Sequence, residues 1–128
     1  TENVGVFRTE EGLDTAIRAL TDAAERVRGA ALRCRSLQMN QELVQRWELD
    51  NLLSVSMIIA QGALRRRESR GGHARVDFPQ RCDEFNAHTL AYMTEFGKIR
   101  FTSRPVDMSL FEARGENHEK FGLIERKY

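Results

Sequence analysis

The sequence predicts a mainly α chain, two long antiparallel helices followed by a small C-terminal β-hairpin and an extended tail. Three observations predict it. Apolar residues recur at three- and four-residue steps over residues 13–31 and again over 43–64. Good capping residues, Thr9 and Asn40, stand just before each run. After Pro79 the spacing changes to short apolar stretches around a turn at Glu95 to Gly97.

Residues 4–8 are apolar-leaning and short. Thr9 is the expected N-cap of the first helix, with Glu10 and Glu11 where the macrodipole favours acids. Leu13, Ile17, Leu20, Ala24, Val27 and Ala31 form its apolar stripe; Arg18, Asp22, Glu25, Arg26 and Arg33 lie opposite. Such a helix has about six turns and a length of ~36 Å. Arg26, Arg28, Arg33 and Arg35 then complement its C-terminal end.

Asn40 is expected to cap a second helix over residues 41–68. Leu43, Val44, Trp47, Leu53, Met57, Ala60 and Leu64 define one face, widened by Leu52, Val55, Ile58 and Ile59. A helix apolar this far round is covered on more than one side, so it is expected to pack between the first helix and another helix or domain. Residues 80–86 are polar and turn-rich. Strands are expected at 88–92 and 98–102, with 105–108 continuing as an extended segment, 113–120 as a loop and 123–128 closing the chain.

At 128 residues the chain suits one domain. Residues 1–79 form its helical part with the arginine-rich loop; residues 80–128 form the hairpin and tail. A net charge of +1 gives no pull toward nucleic acid or anionic membrane, and no apolar run reaches the length of a membrane span. The start has no signal-peptide pattern, and the lack of an initiator Met fits processing or excision from a longer chain. Cys34 and Cys82 have no metal spacing and read as reduced thiols in a cytoplasmic setting. Arginine outnumbers lysine 17 to 3, a bias suited to fixed bidentate ion pairs.

The most informative stretch is RRRESRGGHARVDFP, residues 65–79. A helix ends in an arginine cluster, a double glycine breaks it, and alternation puts His73, Arg75 and Asp77 on one side of an extended segment. His73 beside Asp77 has the makings of an oriented base. No nucleophile elbow, Cys/His pair or helical His-Glu motif accompanies it, so a structural loop held by Arg–carboxylate and His–backbone bonds is the stronger reading. Gly71 and Gly72 follow a helix rather than precede one, which is the wrong polarity for a phosphate loop. Glu68, Asp77, Asp83 and Glu84 interleave with the arginines, against a nucleic-acid face. No catalytic, cofactor-binding or metal-ligating residue is assigned.

The run from Glu68 to Pro79 resembles the ESRGxHxRxD-[FY]-P segment of the succinate dehydrogenase and fumarate reductase flavoprotein family, which includes L-aspartate oxidase. The resemblance extends to Val4-Gly5-Val6-Phe7-Arg8, to Leu49-Asp50-Asn51-Leu52-Leu53 with Ala60 and Ala63-Leu64, to Arg81 and Asp83, to His88-Thr89-Leu90-Ala91-Tyr92 and to the closing Glu125-Arg126-Lys127-Tyr128. Departures are Gly72 in place of Ala or Leu, Cys82 in place of a polar residue, and a longer stretch before the ERKY ending.

The resemblance implies the C-terminal helical domain of a larger flavoprotein. It implies a spectrin-repeat-like three-helix bundle whose first helix is largely missing. FAD and the dicarboxylate chemistry belong to upstream domains in that family, so this piece is expected to be inactive alone and to hold no cofactor, with FAD in the full-length protein. The whole enzyme would oxidise succinate to fumarate, or run the reverse, passing electrons to an iron–sulfur subunit. Expected partners are the upstream FAD-binding domain and that subunit, with no nucleic acid and no direct membrane insertion. The expected location is cytoplasmic, peripheral to the inner face of the membrane. Ser69, Arg70, His73, Arg75 and Asp77 are expected to be structural or interdomain residues of the loop. The apolar second helix makes a homodimer of the piece an expectation too. The alternatives are the C-terminal domain of L-aspartate oxidase and an independent helical adaptor for protein or RNA.

Overall fold

The computed structural model describes residues 2–107. The expected loop at 113–120, the closing segment 123–128 and the end of the 105–108 segment lie outside them.

Strand β1 (Phe7–Arg8) leads directly into helix α1 (Glu10–Gly29). Thr9 caps α1 as its sequence context requires: its Oγ1 accepts the Gly12 amide at 3.1 Å. Helix α1 ends at Gly29, so Arg33 and Arg35 fall beyond it rather than in its last turn, which holds Arg26 and Arg28. Helix α2 (Gln41–Arg65) starts at Asn40, whose side-chain oxygen accepts the Leu43 amide at 3.0 Å. The connection between the helices is held from α2. Glu42 Oε2 accepts the amides of Arg33 and Cys34 at 2.9 and 2.8 Å. Asn40 Nδ2 donates to the carbonyls of Cys34 and Ser36.

The helices meet along a seam of small and medium residues. Leu13, Ala16 and Ala24 of α1 and Leu53, Met57, Ala60 and Ala63 of α2 are buried. The alanines let the backbones approach, and Leu13, Met57 and Ala60 are fully enclosed. Leu52, Val55 and Ile59, which widen the apolar face of α2, are about half exposed. Val4, Ala16, Leu20 and Ile59 line an open groove between the helices and the N-terminal segment.

The expected mainly α, spectrin-repeat-like long-helix bundle is corrected here: the fold is mixed α/β. Two helices pack on each other, and β structure closes their ends. Strand β2 (Ala74–Arg75) pairs in parallel with β1, Phe7 opposite Ala74 and Arg8 opposite Arg75. A single turn of 3-10 helix, Asp83–Phe85, leads into an antiparallel hairpin of β3 (Ala87–Glu95) and β4 (Lys98–Pro105). The hairpin turns at Gly97, where φ is +80°, with an irregularity between Met93 and Glu95. It leans on α2: Gln61 Nε2 donates to the Gly97 carbonyl at 3.1 Å, and the Arg65 guanidinium stacks on Phe101. The physical reason for the difference lies at the end of α2. Helical spacing alone would carry that helix to residue 68, but the carbonyls of its last turn are taken by a side chain from β2. The chain leaves the helix at Arg66 and folds into a polar node.

Candidate functional site

The node occupies the corner where α2 ends, α1 begins and the two short strands pair. Among the described residues the buried polar side chains are Glu68, Ser69 and Arg75, all within the ESRGGHARVD run. A buried charge persists only when paired and hydrogen-bonded, and the packing here meets that requirement.

Arg75 is enclosed, with its side chain fully out of solvent. Its Nη1 donates to the carbonyls of Ala63 at 3.0 Å, Leu64 at 3.1 Å and Arg66 at 3.4 Å, serving the open C-terminal end of α2. Its Nε and Nη2 form a two-pronged pair with Asp77, each at 2.7 Å. Asp77 Oδ2 also accepts the Glu10 amide at 2.9 Å, at the N-terminus of α1. One ion pair therefore joins the negative end of one helix to the positive end of the other. The Arg75 fork, aided by the Glu10 amide and opposed by burial, holds the Asp77 carboxyl at about 2. Phe78 covers the Arg75 guanidinium, its ring centre 4.9 Å away.

Glu68 is the acceptor of the second half of the node. Burial pushes its carboxyl up, but Arg70, the Cys82 amide and Arg66 outweigh that and hold it below the ordinary range. Arg70 Nε lies 2.9 Å from Oε1, which also accepts from Arg66; Oε2 accepts the Cys82 amide at 2.9 Å. Arg70 reaches on to the Cys82 carbonyl, and Arg66 to the carbonyls of Phe85 and Ala87. Ser69 Oγ accepts the Arg75 amide at 2.8 Å and lies within hydrogen-bonding distance of the Arg75 and Phe78 carbonyls. Arg70 and His73 exchange both backbone hydrogen bonds across a tight turn, which Gly71 permits at a φ of +60°.

His73 lies between β1 and the end of α2. Its Nδ1 is 2.6 Å from Arg8 Nη1 and its Nε2 is 3.0 Å from the Arg66 carbonyl. Arginine only donates, so Nδ1 accepts and Nε2–H donates, which fixes a neutral ring in one tautomer. Burial pushes its pKa down, and the charges of Arg8, Arg75 and Arg66 push the same way against the favourable Arg66 carbonyl.

The structure thus brings Ser69, Arg70, His73, Arg75 and Asp77 into one network. It does not pair His73 with Asp77: Asp77 is engaged by Arg75 and the Glu10 amide, and His73 by Arg8 and Arg66. A histidine oriented by a carboxylate is therefore not formed. Sequence reasoning missed Glu68, Arg66 and Arg8 as members. The signal for Glu68 was present as the alternation Arg66, Glu68, Arg70, a period-two pattern that a helix does not bring onto one side.

No nucleotide cradle is present among the described residues. The first amides of α1 are occupied by Asp77 and Thr9, and the N-terminus of α2 by Asn40. Among the described residues no group of three or more His, Cys, Asp or Glu side chains is placed to hold a metal ion, and no helix is long and apolar enough to cross a membrane.

Comparison with known proteins gives a consistent result. The family model described as the C-terminal region of fumarate reductase flavoproteins matches residues 1–128. The mitochondrial succinate dehydrogenase [ubiquinone] flavoprotein subunit of Oryza sativa subsp. japonica is 40% identical over 116 residues, covering 90% of this chain and 18% of the relative. The fumarate reductase flavoprotein subunit of Mycobacterium tuberculosis is 38% identical over 106 residues, covering 82% and 18%. Among solved structures, a variant of the E. coli quinol fumarate reductase FrdA superposes with a TM-score of 0.81 at 30% identity, over 91% of this chain and 20% of that one. A quinol-fumarate reductase with menaquinol molecules gives 0.78 at 33% identity, over 84% and 19%. The chain spans about a fifth of the length of these relatives.

Proposed function

Because this chain belongs to the family of fumarate reductase flavoprotein C-terminal regions, we propose that it serves as the non-catalytic C-terminal domain of a subunit that interconverts succinate and fumarate. The flavin of that subunit is FAD, held by the part of the polypeptide upstream of this region. Electrons pass from it to an iron–sulfur subunit, and the assembly sits peripherally at the inner face of a membrane. The helix N-termini and the node arginines Arg66, Arg70 and Arg75 already have partners within the domain. Their work in this reading is to position.

The observation that carries the reading is the match over all 128 residues, together with the Arg75–Asp77 and Arg70–Glu68 pairs at its most distinctive motif. Ser69, Arg70, His73, Arg75 and Asp77 set the angle between the two helices and fix the strap that leads into α1, so that the domain presents a rigid corner to the rest of the enzyme. The two regions named from sequence, 1–79 and 80–128, act in this reading as parts of one domain.

The test is expression of the full-length subunit with its iron–sulfur partner. A flavin spectrum and succinate-dependent dye reduction are expected. Oxidation of L-aspartate in place of succinate would overturn the substrate assignment. Residues 1–128 produced alone are expected to be colourless; a yellow, FAD-retaining preparation would refute the placement of the flavin upstream.

A further inference from the structure

The strap made by β1 and β2 has its polarity reversed. Paired strand residues share a face and neighbours along a strand alternate. Arg8 and Arg75, which pair, point inward, and His73 joins them there against Arg8. The outward face is then Phe7, Ala74 and Val76. Arg75 is 1% exposed, whereas Phe7 is 75% exposed and Val76 62% exposed. The ladder extends over the face, with the Ala74 amide donating to the Val6 carbonyl and the Val76 amide to that of Arg8. A phenylalanine open to solvent above a buried arginine reverses the usual distribution. That reversal calls for a covering body on the outward side.

We propose that Phe7, Ala74 and Val76 form an apolar docking face for the upstream, flavin-bearing part of the same polypeptide. This rests on the reading above and assigns the interdomain contact to the apolar face of the strap rather than to the arginines. Arg8, Arg70 and Arg75 are turned into the node and bonded there. The occupant follows from length: relatives carry this region as 18% of a single chain, so the greater part of the same polypeptide is available to cover the strap in every copy of the protein. The face offers no charge, so the matching surface is apolar.

The test is hydroxyl-radical footprinting of the flavin-loaded full-length subunit, native against urea-unfolded, read by mass spectrometry at Phe7 and Val76 without substitution. Oxidation of both is expected to slow at least about fivefold in the native subunit. Slowing by less than that, as an open strap gives, would overturn the proposal. Protection that vanishes on dilution to monomer would assign the face to a second copy, and protection that arises only on adding the iron–sulfur subunit would assign it to that partner; either result overturns it. Succinate oxidation by the same preparation tests the functional reading separately. An active subunit with an unprotected Phe7 refutes the docking face alone, and an inactive one refutes the functional reading.

Discussion

Arg75 shows how much one side chain decides here. Its guanidinium meets three carbonyls and a carboxylate while fully buried, so removing it strands all of them. Arg75→Ala is expected to destabilise the domain by about 3 kcal/mol or more, the cost of breaking a buried pair. Arg75→Lys is not expected to restore the loss, because an ammonium cannot bridge Asp77 and the helix end in one plane. Urea unfolding of the full-length subunit, read by amide exchange at Ala74 and Val76, measures both. Three titrating members of the node, His73, Glu68 and Asp77, act in the same direction. His73 is lowered from its ordinary value of 6.5, so its contribution is complete above 6.5 and is lost as pH falls toward the native value. Asp77 is lowered from 3.8 to about 2, so its contribution is complete above 3.8 and disappears as pH falls through about 2. Glu68 is lowered from 4.5, so its contribution is complete above 4.5 and is lost as pH falls toward the native value. Stability of the strap is therefore expected to fall in an upper acid step set by His73 and a lower one set by the two carboxylates. His73→Gln, which keeps a donor and an acceptor but cannot titrate, is expected to remove the upper step from the exchange profile and leave the lower one.

At the scale of elements, the helix starts were legible and the helix ends were not. Thr9 and Asn40 cap through local hydrogen bonds that depend on residues three positions away, so spacing reveals them. Asn40→Ala is expected to cost about 1 kcal/mol for the lost cap, with a further loss because Nδ2 also ties the loop at Cys34 and Ser36. Thermal unfolding of the variant gives the sum. The end of α2 is set by Arg75, which lies ten residues beyond the last helical position, and helical periodicity carries no trace of it. The double glycine is likewise divided by structure. Gly71 needs its positive φ, so Gly71→Ala is expected to cost roughly 1 kcal/mol. Gly72 has open space around it and no such backbone demand, so Gly72→Ala is expected to change stability by less than about 0.5 kcal/mol. Comparing the two melting temperatures checks the distinction.

Across the whole molecule, the resemblance of the ESRGGHARVDFP run and of the motifs around it, in their order, pointed to the family before any packing was known. The architecture was a different matter. Periodicity reported a second helix apolar on more than one side, with another helix or another domain as its expected cover, and the resemblance implied a three-helix bundle. The structure instead leaves Leu52, Val55 and Ile59 half exposed and ends the helix pair with a parallel strap and a hairpin. The alternation puts His73, Arg75 and Asp77 on the side of the node, where Arg75 pairs with Asp77 while His73 meets Arg8 and the Arg66 carbonyl. By itself the sequence determined the helix starts, the glycine turn and the family, since these depend on near neighbours and on the order of residues. Only the tertiary structure decided that the arginines close on their own chain and that Phe7 and Val76 face outward, because burial and pairing depend on segments more than sixty residues apart.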